Sequence, residues 1–168
     1  EGNASGTHTY SGTNHLSIPL QPTSVESHVH LGWVGDLDGN GEYDVVVDRI
    51  SANAPLVDAY SLDGQFLWRL DTGPLGADQN NIEGGATTIS NGHWDGLTVF
   101  DFDSDGSAEV AMKTANGFVF GDGSVLQHGN EDDQFVSIID GTTGAEISRA
   151  QLPDDFIGDG PLQCHFGV

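Results

Sequence analysis

Asp36-Leu37-Asp38-Gly39-Asn40-Gly41-Glu42-Tyr43-Asp44 places an oxygen-bearing side chain at every second position of a short stretch, with glycine at position 6. The pattern returns as Asp101-Phe102-Asp103-Ser104-Asp105-Gly106-Ser107-Ala108-Glu109, 65 residues further along. A hard cation such as Ca²⁺ takes roughly six to eight oxygens at about 2.3–2.6 Å, and alternate side chains of a tightly turned loop can converge on one. This pattern assigns Asp36, Asp38, Asn40, Glu42 (through its carbonyl) and Asp44 to a first ion. It assigns Asp101, Asp103, Asp105, Ser107 (through its carbonyl) and Glu109 to a second. Gly41 and Gly106 permit a turn that a Cβ would resist. The bland alternative is an acidic turn that binds nothing, since Asp, Asn and Gly are ordinary turn formers. Recurrence of the whole pattern between similar flanks favours cation loops.

The residues on the C-terminal side of each loop decide the fold. A helix-loop-helix calcium site closes with a Glu at position 12 and runs into an amphipathic helix. Here position 12 is Val47 or Met112, and the loops exit into the apolar runs Val45-Val46-Val47 and Val110-Ala111-Met112. Such runs have strand character, so each loop joins two strands.

Outward from the first loop, strands are expected at 28–34, 44–50, 56–61 and 65–70, with a turn at Leu62-Asp63-Gly64. A further short strand is expected at His15 to Leu20, stopped by Pro22. Around the second loop the series repeats at 97–100, 109–114, 135–139 and 145–150. An insertion at 115–133 is expected to form its own hairpin around Gly121-Asp122-Gly123. A four-stranded antiparallel unit repeated at this spacing is the signature of a β-propeller blade. The expected organisation is a mobile arm over 1–14 and propeller blades over 15–168. The blade repeats fall at about 28–70 and 97–150, and a tail over 151–168 leads toward a further blade. Two blades do not close a ring, because propellers need about four to eight.

The charge narrows the partners. Four basic residues face 26 acidic ones, for a net charge of −22, which repels nucleic acid and anionic membranes and calls for cations. Disorder is excluded for most of the length by three Trp, eight Phe and the Val/Leu/Ile clusters. With 24 Gly and no sustained helical period, the expected class is all-β. Cys164 is the single cysteine, so no internal disulfide forms, and metal loops would serve as staples outside the cell. The sequon Asn3-Ala4-Ser5 points the same way, toward secretion. The start at Glu1 rather than Met is read as either a removed leader or a fragment. No stretch is long and apolar enough for a membrane-spanning helix.

Three segments carry a resemblance. Val34 through Asp44, Val57 through Gly64 with Leu67-Trp68-Arg69, and Val99 through Gly117 resemble the early propeller blades of rhamnogalacturonan lyases of polysaccharide lyase family 11. Asp140-Gly141-Thr142-Thr143-Gly144-Ala145-Glu146 fits the next hairpin. Gly92-His93-Trp94-Asp95-Gly96 and Asp159-Gly160-Pro161 are similar to the fungal branch, whereas bacterial members carry Lys-Trp-Asp-Pro near Asp48-Arg49-Ile50-Ser51. The resemblance implies an eight-bladed propeller, usually preceded by a small β-sandwich, that binds several calcium ions. It further implies cleavage of the rhamnose-galacturonate backbone of pectin by β-elimination. The chain would then be the N-terminal blades of a secreted lyase, holding about two Ca²⁺. Its partners would be the remaining blades of the same enzyme or other copies of the chain, and an acidic pectic polysaccharide.

Catalytic and substrate-binding residues are assigned to no position. His28, His30 and His93 are candidate cleft residues or blade-packing histidines. Lys113 either reaches a uronate carboxylate or balances nearby acids. Trp33, Trp68 and Trp94 either stack on sugars or pack between blades. The alternatives to a lyase are a non-catalytic calcium-binding propeller module, carbohydrate-binding or adhesive, and a structural piece that assembles with other chains.

Overall fold

The structure, a computed structural model, describes residues 17–24, 26–51, 55–73, 97–129 and 134–151. Eight strands occupy them: β1 (Ser27–Gly35), β2 (Asp44–Ser51), β3 (Leu56–Tyr60), β4 (Phe66–Asp71), β5 (Thr98–Phe100), β6 (Glu109–Ala115), β7 (Gln134–Ile139) and β8 (Glu146–Gln151). They pair in two antiparallel sheets of identical order, β1-β2-β3-β4 and β5-β6-β7-β8. The expected strands lie within a residue or two of these limits.

The repeat extends to irregularities. In both sheets the third and fourth strands slip register just before the turn, between Ala59 and Tyr60 in one and between Ile138 and Ile139 in the other. Both turns close with a glycine at positive φ, Gly64 and Gly144, a conformation a Cβ disfavours.

One core joins the sheets. Val46, Val57, Ala59, Trp68 and Leu70 of the first sheet pack with Val110, Met112, Phe135 and Ile139 of the second. Their alternation along each strand arises from the period of two, which turns one face of each sheet inward. The insertion forms the expected hairpin, with Phe120 N–H donating to Ser124 O (2.9 Å) and Leu126 N–H to Phe118 O (2.8 Å). It also reaches the other sheet, because Asp71 and Val119 exchange backbone hydrogen bonds of 3.0 and 2.8 Å. Its Phe118, Phe120 and Leu126 fill the core beside β4.

Backbone contacts fix the two sheets at the loop ends. Ala108 N–H donates to Asp36 O at 2.6 Å, Thr142 Oγ1 to Leu37 O at 3.1 Å, and the Trp68 indole N–H to Gly141 O at 2.6 Å. A Cβ on Gly141 would collide with the carbonyl oxygen of Ala108, so the approach requires glycine. Trp68 is therefore an inter-sheet packing residue.

The strand expected at His15 to Leu20 is corrected over its described part: 15–16 lie outside the described residues, and residues 17–20, like 21–24, carry no strand. Their carbonyls serve side chains instead. Arg49 donates to Gln21 O (2.7 Å) and Arg69 to Pro22 O (3.1 Å), while Gln21 N–H donates to Tyr60 Oη (2.9 Å). Beneath this strap the buried Asp58 carboxylate receives Arg49, Arg69 and Tyr60. Pro19 and Pro22 lack the N–H groups a sheet ladder would need. The arm expected over 1–14, the tail beyond Gln151 and the connection 74–96 lie outside the described residues.

Candidate metal centres

The two acidic loops match bond for bond. In the first, Asn40 N–H donates to Asp36 Oδ1 (3.0 Å) and Asp38 Oδ1 (3.1 Å), and Gly41 N–H to Asp36 Oδ2 (2.7 Å). In the second, Asp105 N–H donates to Asp101 Oδ1 and Asp103 Oδ1 (both 3.1 Å), and Gly106 N–H to Asp101 Oδ2 (3.0 Å). Position 5 accepts from position 7 in each: Glu42 N–H to Asn40 Oδ1 (2.7 Å), and Ser107 N–H to Asp105 Oδ1 (2.8 Å). Position 9 accepts from position 2: Leu37 N–H to Asp44 Oδ2 (3.0 Å), and Phe102 N–H to Glu109 Oε2 (2.8 Å). Backbone donors thus aim the carboxylates of Asp36, Asp38, Asp44, Asp101, Asp103, Asp105 and Glu109 before any cation is considered.

The result is convergence. One oxygen from each of Asp36, Asp38 and Asp44 lies within 4.8 Å of the others, and the same holds for Asp101, Asp103 and Glu109. Asp105 is outside that threesome, and its Oδ1 accepts the Ser107 N–H. Position 4 is left-handed in both loops, with Gly39 at φ 72° and Ser104 at φ 64°. Gly41 (88°) and Gly106 (102°) are the left-handed residues at position 6.

Electrostatics favour a cation in both. Burial raises the Asp44 carboxyl above its ordinary range, the Leu37 N–H opposes this, and Asp38 and Asp36 push it higher. Burial likewise raises Glu109, against the Phe102 N–H and with Asp103, Asp105 and Asp101 adding repulsion. A bound cation would relieve like-charge crowding in both places. The donor set is all oxygen, which suits Ca²⁺ rather than a softer metal. Beside the first loop lies a recess of about 260 Å³ whose polar lining includes Asp38, Asn40, Glu42, Asp44 and Asp63.

The remaining candidates separate clearly. His28 is exposed on β1, and His30 lies 3.3 Å from Asp48. Lys113 is buried on β6, which suits a structural role. Trp33 packs against the core. His93 and Trp94 lie outside the described residues. No motif in the sequence pointed to the Asp58 cluster or to the pairing of His30 with Asp48; the four basic residues among so many acids were the available signal for the first.

Two repeated four-stranded antiparallel sheets, each carrying an acidic oxygen-rich loop between its first two strands, define an all-β repeat protein with twin cation-competent centres. A family model described as the C-terminal domain of rhamnogalacturonan lyase family 11 matches residues 23–153. The chain belongs to that family, and the matched region is its C-terminal domain rather than the front of the enzyme. Rhamnogalacturonan endolyase YesW of Bacillus subtilis is 34% identical, covering 71% of this chain and 21% of its own length. Rhamnogalacturonan exolyase YesX of the same organism is 32% identical, covering 70% and 21%. The solved structure of Bacillus licheniformis rhamnogalacturonan lyase PL11 superposes with a TM-score of 0.66 at 28% identity, over 83% of this chain and 27% of that one. The chain thus spans about a fifth of the length of the curated relatives it matches.

Proposed function

We propose that the chain forms two successive blades of a β-propeller within a secreted, calcium-dependent lyase that cleaves the rhamnogalacturonan backbone of pectin by β-elimination. The observation that carries the reading is the bond-for-bond repetition of the two loops in a chain of this family. Asp36, Asp38, Asn40, Glu42 and Asp44 would hold one Ca²⁺, and Asp101, Asp103, Asp105, Ser107 and Glu109 a second. Calcium bound there would neutralise the clustered carboxylates and staple the loop that joins two strands.

Repetition also supports the propeller and the division into units at about 28–70 and 97–150. Leu37, at position 2 of the first loop, is fully buried against the second sheet, whereas Phe102, at position 2 of the second, is 45% exposed. Phe100 is exposed too, and the two rings meet edge to face at 5.5 Å. A third blade following the segment beyond Gln151 would cover Phe102 as the second sheet covers Leu37. The greater length of the relatives accommodates such blades.

Elimination at a uronate requires neutralisation of its carboxylate, a base for the C5 proton and a proton for the leaving oxygen. These roles are assigned to no residue of this chain. A polymeric pectic substrate lies outside the cell, in keeping with secretion. The test is the ultraviolet absorbance of the unsaturated uronate product when the protein is incubated with rhamnogalacturonan, with and without a calcium chelator. The repeated acidic loops by themselves also fit a second reading, a calcium-stapled binding module without catalysis. That reading expects retention on the polysaccharide and no rise in absorbance.

A further inference from the structure

Asp48 and Asp58 are both fully buried, on neighbouring strands, yet they are satisfied very differently. Asp58 takes hydrogen bonds from Arg49, Arg69 and Tyr60. Asp48 faces the opposite side of the sheet, where it pairs in register with Leu31 and Val57. Its Oδ2 lies 3.3 Å from His30 Nδ1, and its Oδ1 has no hydrogen-bond partner. A bare buried carboxylate oxygen is costly.

Backbone geometry explains how His30 comes to be there. Val29 pairs with Arg49 and Leu31 with Asp48, which leaves His30 as the extra residue of a β-bulge. Bulges re-aim a side chain, and here the imidazole is turned onto the buried carboxylate. The imidazole is 29% exposed and the carboxylate 0%. Among the described residues, the titratable groups that act on Asp48 are His30 and His28, both from β1; β3 meets it with Val57, and the Arg49 and Asp58 side chains lie on the other face. Burial lifts the Asp48 carboxyl to about 6, against the hydrogen bond and charge of His30 and the charge of His28.

We propose that His30 and Asp48 form a hydrogen-bonded couple that fastens the bulged strand β1 to β2, tight in mildly acidic solution and loosened as the pH rises toward neutrality. While Asp48 holds its proton, the buried group beside the imidazole carries no charge. Once that proton is lost, an ionised carboxylate remains buried with a bare Oδ1. The sign comes from linkage. A carboxyl raised in the folded state contributes stability that is complete below its unfolded value of 3.8 and is lost as the pH rises through about 6.

The test uses the full chain saturated with calcium, so that the acidic loops stay constant. Amide hydrogen exchange in β1, corrected for intrinsic rates, is compared at pH 5 and pH 8. The expected result is a loss of protection of roughly tenfold in β1 at the higher pH, with β6 and β7 unchanged. Asp48→Asn and His30→Gln should each flatten this dependence. Equal protection of β1 at both pH values in the wild-type chain would overturn the proposal. So would an unaltered dependence in either variant, and His30→Gln decides if Asp48→Asn fails to fold.

Discussion

Leu37 and Phe102 occupy the same position of two matching loops, and truncating each tests whether the first sheet is capped by the second. Leu37 is fully buried in the core shared by the two sheets. Its carbonyl accepts Thr142 Oγ1, so neighbouring backbone is held and the site cannot collapse freely. Leu37→Ala should cost about 3–4 kcal/mol, the range for a buried leucine in a site that relaxes little. That is a large share of the ordinary stability of about 5–15 kcal/mol. Phe102 is 45% exposed, and Phe102→Ala should cost less than about 1 kcal/mol, well short of the range for a fully buried phenylalanine. Both variants are compared with the wild-type chain by urea unfolding with calcium present. The expected result is a clear fall in midpoint for Leu37→Ala at unchanged slope, with little change for Phe102→Ala. Equal losses in the two variants would refute the assignment of Leu37 to the inter-sheet core.

Other outcomes rest on the same contacts. Asp58→Asn should destabilise the chain by about 3 kcal/mol, because it leaves Arg49 and Arg69 without their shared carboxylate; thermal unfolding near neutral pH reads this. Burial alone would raise Asp58, but Arg69, Arg49 and Tyr60 outweigh it and hold the carboxyl below its ordinary value. Its contribution is therefore present above 3.8 and lost as the pH falls through the depressed value, so acid unfolding should be less steep in Asp58→Asn. Trp68→Phe should cost about 1 kcal/mol through the lost bond to Gly141 O, with Trp68→Ala several times worse by calorimetry. Calcium affinity, measured by titration calorimetry, should weaken on acidification, since Asp44 and Glu109 are raised and protons compete for them.

Much of the fold was legible because the loops run into three-residue apolar stretches and fixed turn residues, which are local signals. Val45 to Val47 and Val110 to Met112 place β2 and β6, and Asp63-Gly64 places the turn between β3 and β4. The strand expected at His15 to Leu20 does not form over 17–20, and the adjoining Gln21 and Pro22 bond to arginine and tyrosine side chains rather than to a neighbouring strand. No local pattern announces that Val119 will pair with Asp71, or that Trp68 will reach Gly141 across 73 residues. The bulge at His30 was equally silent, since alternation along β1 assumes an unbroken register. In the acidic loops the recurrence of acidic residues was legible, and the structure brings one oxygen each of Asp36, Asp38 and Asp44, and of Asp101, Asp103 and Glu109, within 4.8 Å of one another.

The calcium content of the purified chain, after exhaustive dialysis against a low-calcium buffer, bears most directly on the central claim. Elemental analysis combined with native mass spectrometry gives it per molecule. Two ions per chain, falling to one in Asp38→Ala and one in Asp103→Ala, is the expected result. A chain that binds no calcium at millimolar concentrations and unfolds identically with and without chelator would contradict it.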